Sequence, residues 1–325
     1  MSQDGLVQTS QELDLTNSHL PSLEGVQLEP GLTSLDLTAN RLRELEPKLL
    51  ALKGLRKLFL RQNLLSDAAK VVELASAAVL EELVLQDNQL KQIPSFRGFS
   101  SLQRLELSYN EIRSLAPLTD LSTAHIQELY VASNKVTCIE GISQLTSLTL
   151  LELGSNRVST IEGLDNLQQL QELWLGRNRI TQIRSLSCLI CLQRLSLQSN
   201  RLTSMLGLEA CVTLEELYLS HNGITHIEGL STLIKLQILD VSNNMIAEVA
   251  GLETLTELQD LWLNDNQIPS LAPLGQALRG PQQTLTCIYL QNNPATKDNA
   301  EYRQIMMDLL PCLKQLDSDY VRGGP

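Results

Sequence analysis

Leucine recurs along the chain in a nine-residue phrase, LxxLxLxxN, which occurs thirteen times. In its L-x-L core the two leucines share one face of a short strand, because side chains alternate along a strand. From Asn134 to Asn266 the closing asparagines recur every 22 residues, six times in succession. Units with a fixed period stack and bury one continuous core. The pattern predicts an α/β fold, a leucine-rich-repeat solenoid with a curved parallel sheet on its concave face.

The segments between these strands carry a second apolar series. Their hydrophobic residues lie three apart, which predicts short helical turns on the convex face. The repeat lengthens before Asn88, where residues 67–79 predict a fuller helix, and before Asn293, where three prolines predict an extended loop. The asparagine amides are expected to satisfy turn backbone, and the glycines of the recurring IEG[LI] phrase to permit tight turns or close packing.

The repeat runs nearly from end to end, so the sequence predicts no separate globular domains. Residues 1–30 are interpreted as an N-terminal segment with a degenerate capping repeat, in which Ser18 stands where asparagine is expected. Residues 31–293 carry about twelve leucine-rich repeats, and residues 294–325 form a C-terminal cap and tail. Terminal repeats are usually atypical because they cover the ends of the stack.

Aromatic residues collect at one position of the phrase, the residue between the two leucines of L-x-L, called here the middle slot. Six of the eleven aromatic residues occupy it: Phe59, Tyr130, Trp174, Tyr218, Trp262 and Tyr289. Strand propensity alone would also put aromatics two positions to either side, and neither of those slots holds one. Exposed aromatics beside charges are typical of interface hot spots. The row is therefore interpreted as a protein-binding surface.

Acidic residues share this face. The middle slot and the preceding slot, two residues earlier, together hold eleven acids against three basic residues. The face is thus acidic by about eight charges and accounts for much of the formal net charge of −12. A basic protein surface is the expected partner, and nucleic acid is disfavoured because its phosphates would be repelled.

No catalytic, metal or cofactor site is predicted. The four histidines lie in no arrangement with a nucleophile and an orienting acid, and no phosphate-binding glycine motif occurs. Cys188 and Cys191 form a C-x-x-C without a second pair or a nearby histidine. The start lacks a signal-peptide pattern, no run of eighteen apolar residues occurs, and six cysteines are scattered. These features predict a non-enzymatic protein of a reducing compartment, without membrane contact.

Several longer phrases carry a family resemblance. They are LELGSNR, LYLSHNGI, LTELQDLWLNDN and the ending EYRQIMMDLLPCLKQLDSDYVR. With these and IEG[LI], residues from about 55 to 322 resemble the leucine-rich-repeat regulatory subunit 7 family of protein phosphatase 1. The resemblance implies a nuclear and cytoplasmic regulatory subunit that binds the phosphatase catalytic subunit and controls its activity, maturation or localisation. It assigns the contact to Glu106, Tyr130, Glu152, Trp174, Asp240, Asp260, Trp262 and Tyr289.

The chain departs from the family pattern in its rings. Tyr130 and Trp174 stand where phenylalanine is usual, which keeps a ring and alters its edge. No [RK]-x-[VI]-x-[FW] docking peptide occurs, so the contact is expected from the folded face. The resemblance also allows a ternary complex with a further phosphatase inhibitor protein. The alternative is a leucine-rich-repeat adaptor of a ciliary or ribonucleoprotein assembly, since such adaptors use 22-residue units and the same cap.

Overall fold

A computed structural model describes residues 11–67, 69–77, 79–121, 125–297 and 299–321. Contacts between residues divide the chain into two compact units. The first unit comprises Met1–Val136 and Glu140–Leu148, and the second comprises Thr137–Ile139 and Thr149–Pro325. Each unit is built from leucine-rich repeats with one short strand per repeat.

The strands of the first unit form a parallel sheet in chain order. They are β1 Glu12–Asp14, β2 Ser34–Asp36, β3 Lys57–Phe59, β4 Glu82–Val84, β5 Arg104–Glu106 and β6 Glu128–Tyr130. Neighbouring strands pair without slippage, so that Glu106 lies beside Tyr130. The central leucines of the strands, such as Leu105 and Leu129, are fully buried. The core therefore lies behind the sheet, and the residues on either side of each leucine form the opposite face.

The second unit repeats this arrangement. Its parallel strands are β7 Leu150–Glu152, β8 Glu172–Trp174, β9 Arg194–Ser196, β10 Glu216–Tyr218, β11 Ile238–Asp240, β12 Asp260–Trp262 and β13 Cys287–Tyr289. After β13, strand β14 Gln315–Leu316 pairs parallel with β13, and β15 Asp319–Tyr320 pairs antiparallel with β14.

Within the part of the chain that the structure describes, helices are few and short. The α-helices are α1 Val71–Ala77, α2 Leu274–Ala277 and α3 Tyr302–Leu309, and 3₁₀ helices span Pro47–Ala51, Ala116–Leu121 and Pro281–Gln283. The 22-residue repeats close instead with single turns, such as the bond from the Leu167 N–H to the Leu164 carbonyl (3.0 Å). Within the described residues, no helix has the length and apolarity needed to cross a membrane.

Two sequence expectations about the longer repeats have different outcomes. The helix predicted over 67–79 is confirmed as α1, with narrower bounds; residues 68 and 78 lie outside the described residues. The extended loop predicted from the prolines before Asn293 is wrong, because this segment contains α2 and a 3₁₀ helix. Pro273 and Pro281 lie at the start of these helices. The N–H groups of the first helical residues make no bond within the helix, so proline can occupy this position without loss of a hydrogen bond.

The phrase-ending asparagines join consecutive repeats, as predicted. The Asn178 Oδ1 atom accepts the N–H of Val158 (2.9 Å), and its Nδ2 donates to the carbonyls of Leu153 (2.9 Å) and Leu175 (3.0 Å). Equivalent bonds recur at Asn40, Asn110 and Asn266. Each amide thus satisfies backbone groups of two repeats that the turns leave without a partner.

The glycines of the IEG[LI] phrase have the positive φ angles that tight turns need, and Gly163 also permits close packing. Gly163 has a φ of 70°, a conformation that other residues adopt with strain. A Cβ atom on Gly163 would lie 2.6 Å from the carbonyl oxygen of Ile139 in the preceding turn. Glycine at this position therefore permits both the turn and the close stacking of repeats.

Candidate protein-binding face

Strand pairing arranges the outward side chains of each unit in two rows. Middle-slot residues form the middle row, and preceding-slot residues form the preceding row. In the second unit the middle row is Glu152, Trp174, Ser196, Tyr218, Asp240, Trp262 and Tyr289, and the preceding row is Leu150, Glu172, Arg194, Glu216, Ile238, Asp260 and Cys287. In the first unit the middle row is Asp14, Asp36, Phe59, Val84, Glu106 and Tyr130, and the preceding row is Glu12, Ser34, Lys57, Glu82, Arg104 and Glu128.

The structure brings together two of the eight predicted contact residues in the first unit and six in the second. The first pair is Glu106 and Tyr130. The six are Glu152, Trp174, Asp240, Asp260, Trp262 and Tyr289. All six middle-slot rings are half-buried rather than fully exposed.

The acids of the middle row are turned onto their own backbone. In each case a carboxylate oxygen accepts the N–H two residues later: Asp14 from Thr16 (2.8 Å), Asp36 from Thr38 (2.8 Å), Glu106 from Ser108 (2.7 Å), Glu152 from Gly154 (2.6 Å) and Asp240 from Ser242 (3.0 Å). Glu106 is only 9% exposed and Asp240 only 4%. These two were expected to be exposed; the bond after the strand draws them inward. The sequence signal is the Ser, Thr or Gly two residues later.

One arginine offsets two glutamates in the preceding row of the second unit. The Arg194 Nη1 atom lies 2.7 Å from the Glu172 carboxylate, and its Nε lies 3.2 Å from that of Glu216. Because both carboxylates are already paired, they add less to the attraction for a basic partner than their number predicts. The sequence-based charge count did not anticipate this pairing.

The same glutamates also hold two rings. The Trp174 indole Nε1–H donates to Glu172 (3.1 Å), and the Tyr218 hydroxyl donates to Glu216 (2.8 Å). The two rings stack with their centroids 6.2 Å apart and their planes at 23°. Between them lies Ser196, which is 2% exposed and small enough for the rings to close above it. Tyr218, which sequence reasoning left without a role, is thus the partner of Trp174.

A related cluster occurs in the first unit. The Arg104 guanidinium lies 4.6 Å from the centroid of the Tyr130 ring and pairs with Glu82 (3.2 Å) and with Glu128. The Tyr130 hydroxyl donates to Glu128 (2.9 Å). Burial and this bond raise the pKa of Tyr130 to about 12, so its hydroxyl keeps its proton at neutral pH.

A third cluster, called here the β12 patch, consists of Asp260, Trp262 and Tyr289. The two rings meet edge to face with centroids 5.9 Å apart. Asp260 lies between Ile238 and Cys287 in the preceding row, and burial raises the pKa of its carboxyl group. Among the described residues, the Asp260 carboxylate has no hydrogen-bond or ion-pair partner. The buried Trp262 Nε1 forms no full hydrogen bond there, although its interaction with the Cys287 thiol opposes the rise in the pKa of that thiol. The Asp260 carboxylate of this patch is therefore available for a bond with a partner protein.

Burial affects two cysteines of the second unit. Burial raises the pKa of Cys211 and of Cys287 to about 11 each, so both are thiols rather than reactive thiolates at neutral pH. Within the part of the chain that the structure describes, no group of three or more His, Cys, Asp or Glu side chains could hold a metal ion.

Comparison with known proteins gives matches to repeat families. Residues 212–254 and 234–276 match the family described as Leucine Rich repeats (2 copies), and residues 78–136 match the family described as Leucine rich repeat. Both descriptions agree with the repeats of the observed fold. A leucine-rich-repeat protein of Leptospira interrogans has a similar solved structure, with a TM-score of 0.71 and 25% identity over 91% of this chain and 81% of that one. The solenoid fold predicted from the repeat is therefore confirmed.

Two curated relatives match shorter parts of this chain. Over 144 residues it is 49% identical to Protein phosphatase 1 regulatory inhibitor subunit PPP1R7 homolog of Arabidopsis thaliana. The aligned region covers 44% of this chain and 44% of that protein. Over 136 residues it is 30% identical to lumican of Bos taurus, covering 41% of this chain and 39% of lumican. The chain thus spans less than half the length of these relatives. The similarity to a leucine-rich-repeat regulatory subunit of protein phosphatase 1, predicted from the motifs, is confirmed.

Proposed function

We propose that this chain is a non-catalytic regulatory subunit that binds the catalytic subunit of protein phosphatase 1 through its sheet face. Binding would control the activity, maturation or localisation of the phosphatase in the nucleus and cytoplasm. The observation that carries the proposal is the 49% identity, over 144 residues, with a protein named as a phosphatase 1 regulatory inhibitor subunit. A ternary complex with a further phosphatase inhibitor protein belongs to the same proposal.

The ring pairs support a protein partner. Trp174 with Tyr218, and Trp262 with Tyr289, present large half-buried rings that a partner can cover completely. Tryptophan and tyrosine dominate interface hot spots because they bury much area and lose little conformational entropy. The rings would pack against an apolar patch of the phosphatase and supply most of the binding free energy.

The β12 patch supports a basic group on that partner. In the second unit Glu172 and Glu216 already have Arg194, whereas Asp260 has no cation among the described residues. A lysine or arginine brought to Asp260 would offset a carboxylate whose charged form is disfavoured by burial. The predicted attraction for a basic surface is thus concentrated beside Trp262.

The two buried acids of the middle row, Glu106 and Asp240, have a structural role that the sequence did not indicate. Glu106 and Asp240 remain predicted contact residues, but their carboxylates also hold the turns after β5 and β11. Replacing either one would disturb local backbone as well as charge. They are therefore poor probes of electrostatic attraction, and Asp260 is the better one.

The partner is tested by affinity purification of the full chain from a cell extract, followed by mass spectrometry. The proposal predicts recovery of a protein phosphatase 1 catalytic subunit, and its direct binding to the chain when both are purified. Recovery of axonemal or ribonucleoprotein components without the phosphatase would support the adaptor alternative and contradict the proposal.

A further inference from the structure

Arg194 stands at the centre of a symmetric set of bonds. Its guanidinium reaches Glu172 on one neighbouring strand and Glu216 on the other, at 2.7 and 3.2 Å. The second oxygen of each carboxylate accepts from the polar end of a ring, Trp174 Nε1–H at 3.1 Å and Tyr218 hydroxyl at 2.8 Å. One cation thus connects two acids, and the two acids fix two rings.

The stacked rings belong to strands that are not adjacent. Strands two apart in a sheet lie roughly 9.5 Å from each other, yet the ring centroids lie 6.2 Å apart. Both side chains must therefore lean over Ser196 in a defined orientation. Without Arg194, the Glu172 and Glu216 charges would repel one another and the carboxylates would be free to turn away from the rings.

We propose that Arg194 is a positioning residue that sets Trp174 and Tyr218 as a rigid stacked pair before the partner arrives. The inference rests on the proposed function, in which these rings bind the phosphatase. Side chains already ordered in the free protein lose less entropy on binding, so affinity rises without any contact between Arg194 and the partner.

A similar set of bonds occurs in the first unit. Arg104 pairs with Glu128, and Glu128 accepts the hydroxyl of Tyr130. In both units a ring with a polar end, Tyr130 or Trp174, thus donates to a glutamate that an arginine also holds. Phenylalanine has no polar end for a glutamate to hold.

The positioning role and a purely electrostatic role predict opposite results. Removing the Arg194 charge makes the face more acidic, which by itself would strengthen attraction to a basic partner. Removing the positioning residue frees two rings, which weakens binding. The direction of the change in affinity therefore separates the two roles.

The first experiment needs no partner. In a Trp262→Phe background Trp174 is the only tryptophan, so fluorescence reports on that ring alone. Time-resolved anisotropy and acrylamide quenching should reveal faster motion and greater access of Trp174 after Arg194→Met. Arg184→Met removes an exposed arginine elsewhere in the same unit and should change neither. Equal ring motion in both variants would overturn the proposal.

The second experiment measures the Kd for purified protein phosphatase 1 catalytic subunit. Arg194→Met should weaken binding about tenfold, as expected when two side chains must be ordered on binding, and Arg184→Met should not. In a mutant cycle, Arg194→Met should add little to the loss caused by Trp174→Ala combined with Tyr218→Ala, because the arginine acts through these two rings. Unchanged or tighter binding after Arg194→Met would overturn the proposal. Absence of binding by the unmodified chain would instead contradict the proposed function, while the anisotropy result would still decide whether Arg194 orders the ring.

Discussion

The carboxyl group of Asp260 differs from its neighbours in what surrounds it. Glu172 and Glu216 each have an arginine, and Asp240 has the N–H and hydroxyl of Ser242. Burial raises the pKa of Asp260, and no bond among the described residues opposes that effect. An uncompensated charge of this kind is more common at functional sites than in purely structural positions.

The stability of the free protein should reflect this charge. The pKa of Asp260 is higher in the folded chain than its unfolded value of 3.8. The contribution of this carboxyl group to stability is therefore fully present below pH 3.8, and it is lost as the pH rises through the folded-state pKa. Asp260→Asn should therefore gain stability relative to the unmodified chain as the pH rises from about 3 to about 7. Urea denaturation at both pH values measures the difference. The exposed Asp165→Asn is the control, and an equal pH dependence for both variants would contradict the assignment.

The residues of this face could be predicted from the sequence, but the orientation of their side chains could not. The period of 22 residues put Asp240 and Trp262 in one row, and strand pairing confirms that placement. Whether a carboxylate faces solvent or its own backbone depends on side-chain torsions, which the slot alone does not determine. The pairing of Trp174 with Tyr218 likewise depends on the small size of Ser196 between them.

At the scale of the repeat, the asparagine bonds make a measurable prediction. Asn178→Ala removes four bonds and leaves the N–H of Val158 without a partner, whereas the carbonyls of Leu153 and Leu175 keep bonds from Asn156 and Asn200. The expected cost is about 3 kcal/mol in the free energy of unfolding. Chemical denaturation followed by circular dichroism measures the loss. Asn166→Ala, in an exposed turn, should change stability little. Similar losses in both variants would mean that the bonds of Asn178 contribute no more to the free energy of unfolding than the side chain of a surface asparagine does.

Elements were predictable to the extent that they follow the period. The thirteen phrases correspond to the strands β1 to β13, because alternation and spacing determine both register and face. The segment before Asn293 breaks the period, and there the prolines predict an extended loop where the chain forms short helices. Proline is compatible both with a loop and with the first turn of a helix, and Pro273 and Pro281 take the second option.

At the scale of the whole molecule, the net charge of −12 favours a basic partner and faster association at low salt. Stopped-flow mixing with the phosphatase catalytic subunit should give an association rate that falls as salt rises from about 0.05 to 0.5 M. Asp260→Lys should slow association most at the lowest salt, whereas Asp165→Lys, in an exposed turn, should have a smaller effect. A rate that responds neither to salt nor to Asp260→Lys would mean that the acidic face is only a solvated surface.

The central claim is that four rings of the sheet face, Tyr130, Trp174, Trp262 and Tyr289, bind protein phosphatase 1. Calorimetry with the purified catalytic subunit tests this claim most directly. Trp262→Ala should weaken binding by about 2 to 4 kcal/mol, the loss typical of a hot-spot ring, with circular dichroism unchanged. Phe59→Ala, at the same slot of β3 and outside the assigned contact, is the matched control and should bind like the unmodified chain. Unchanged affinity in Trp262→Ala, or an equal loss in Phe59→Ala, would contradict the account.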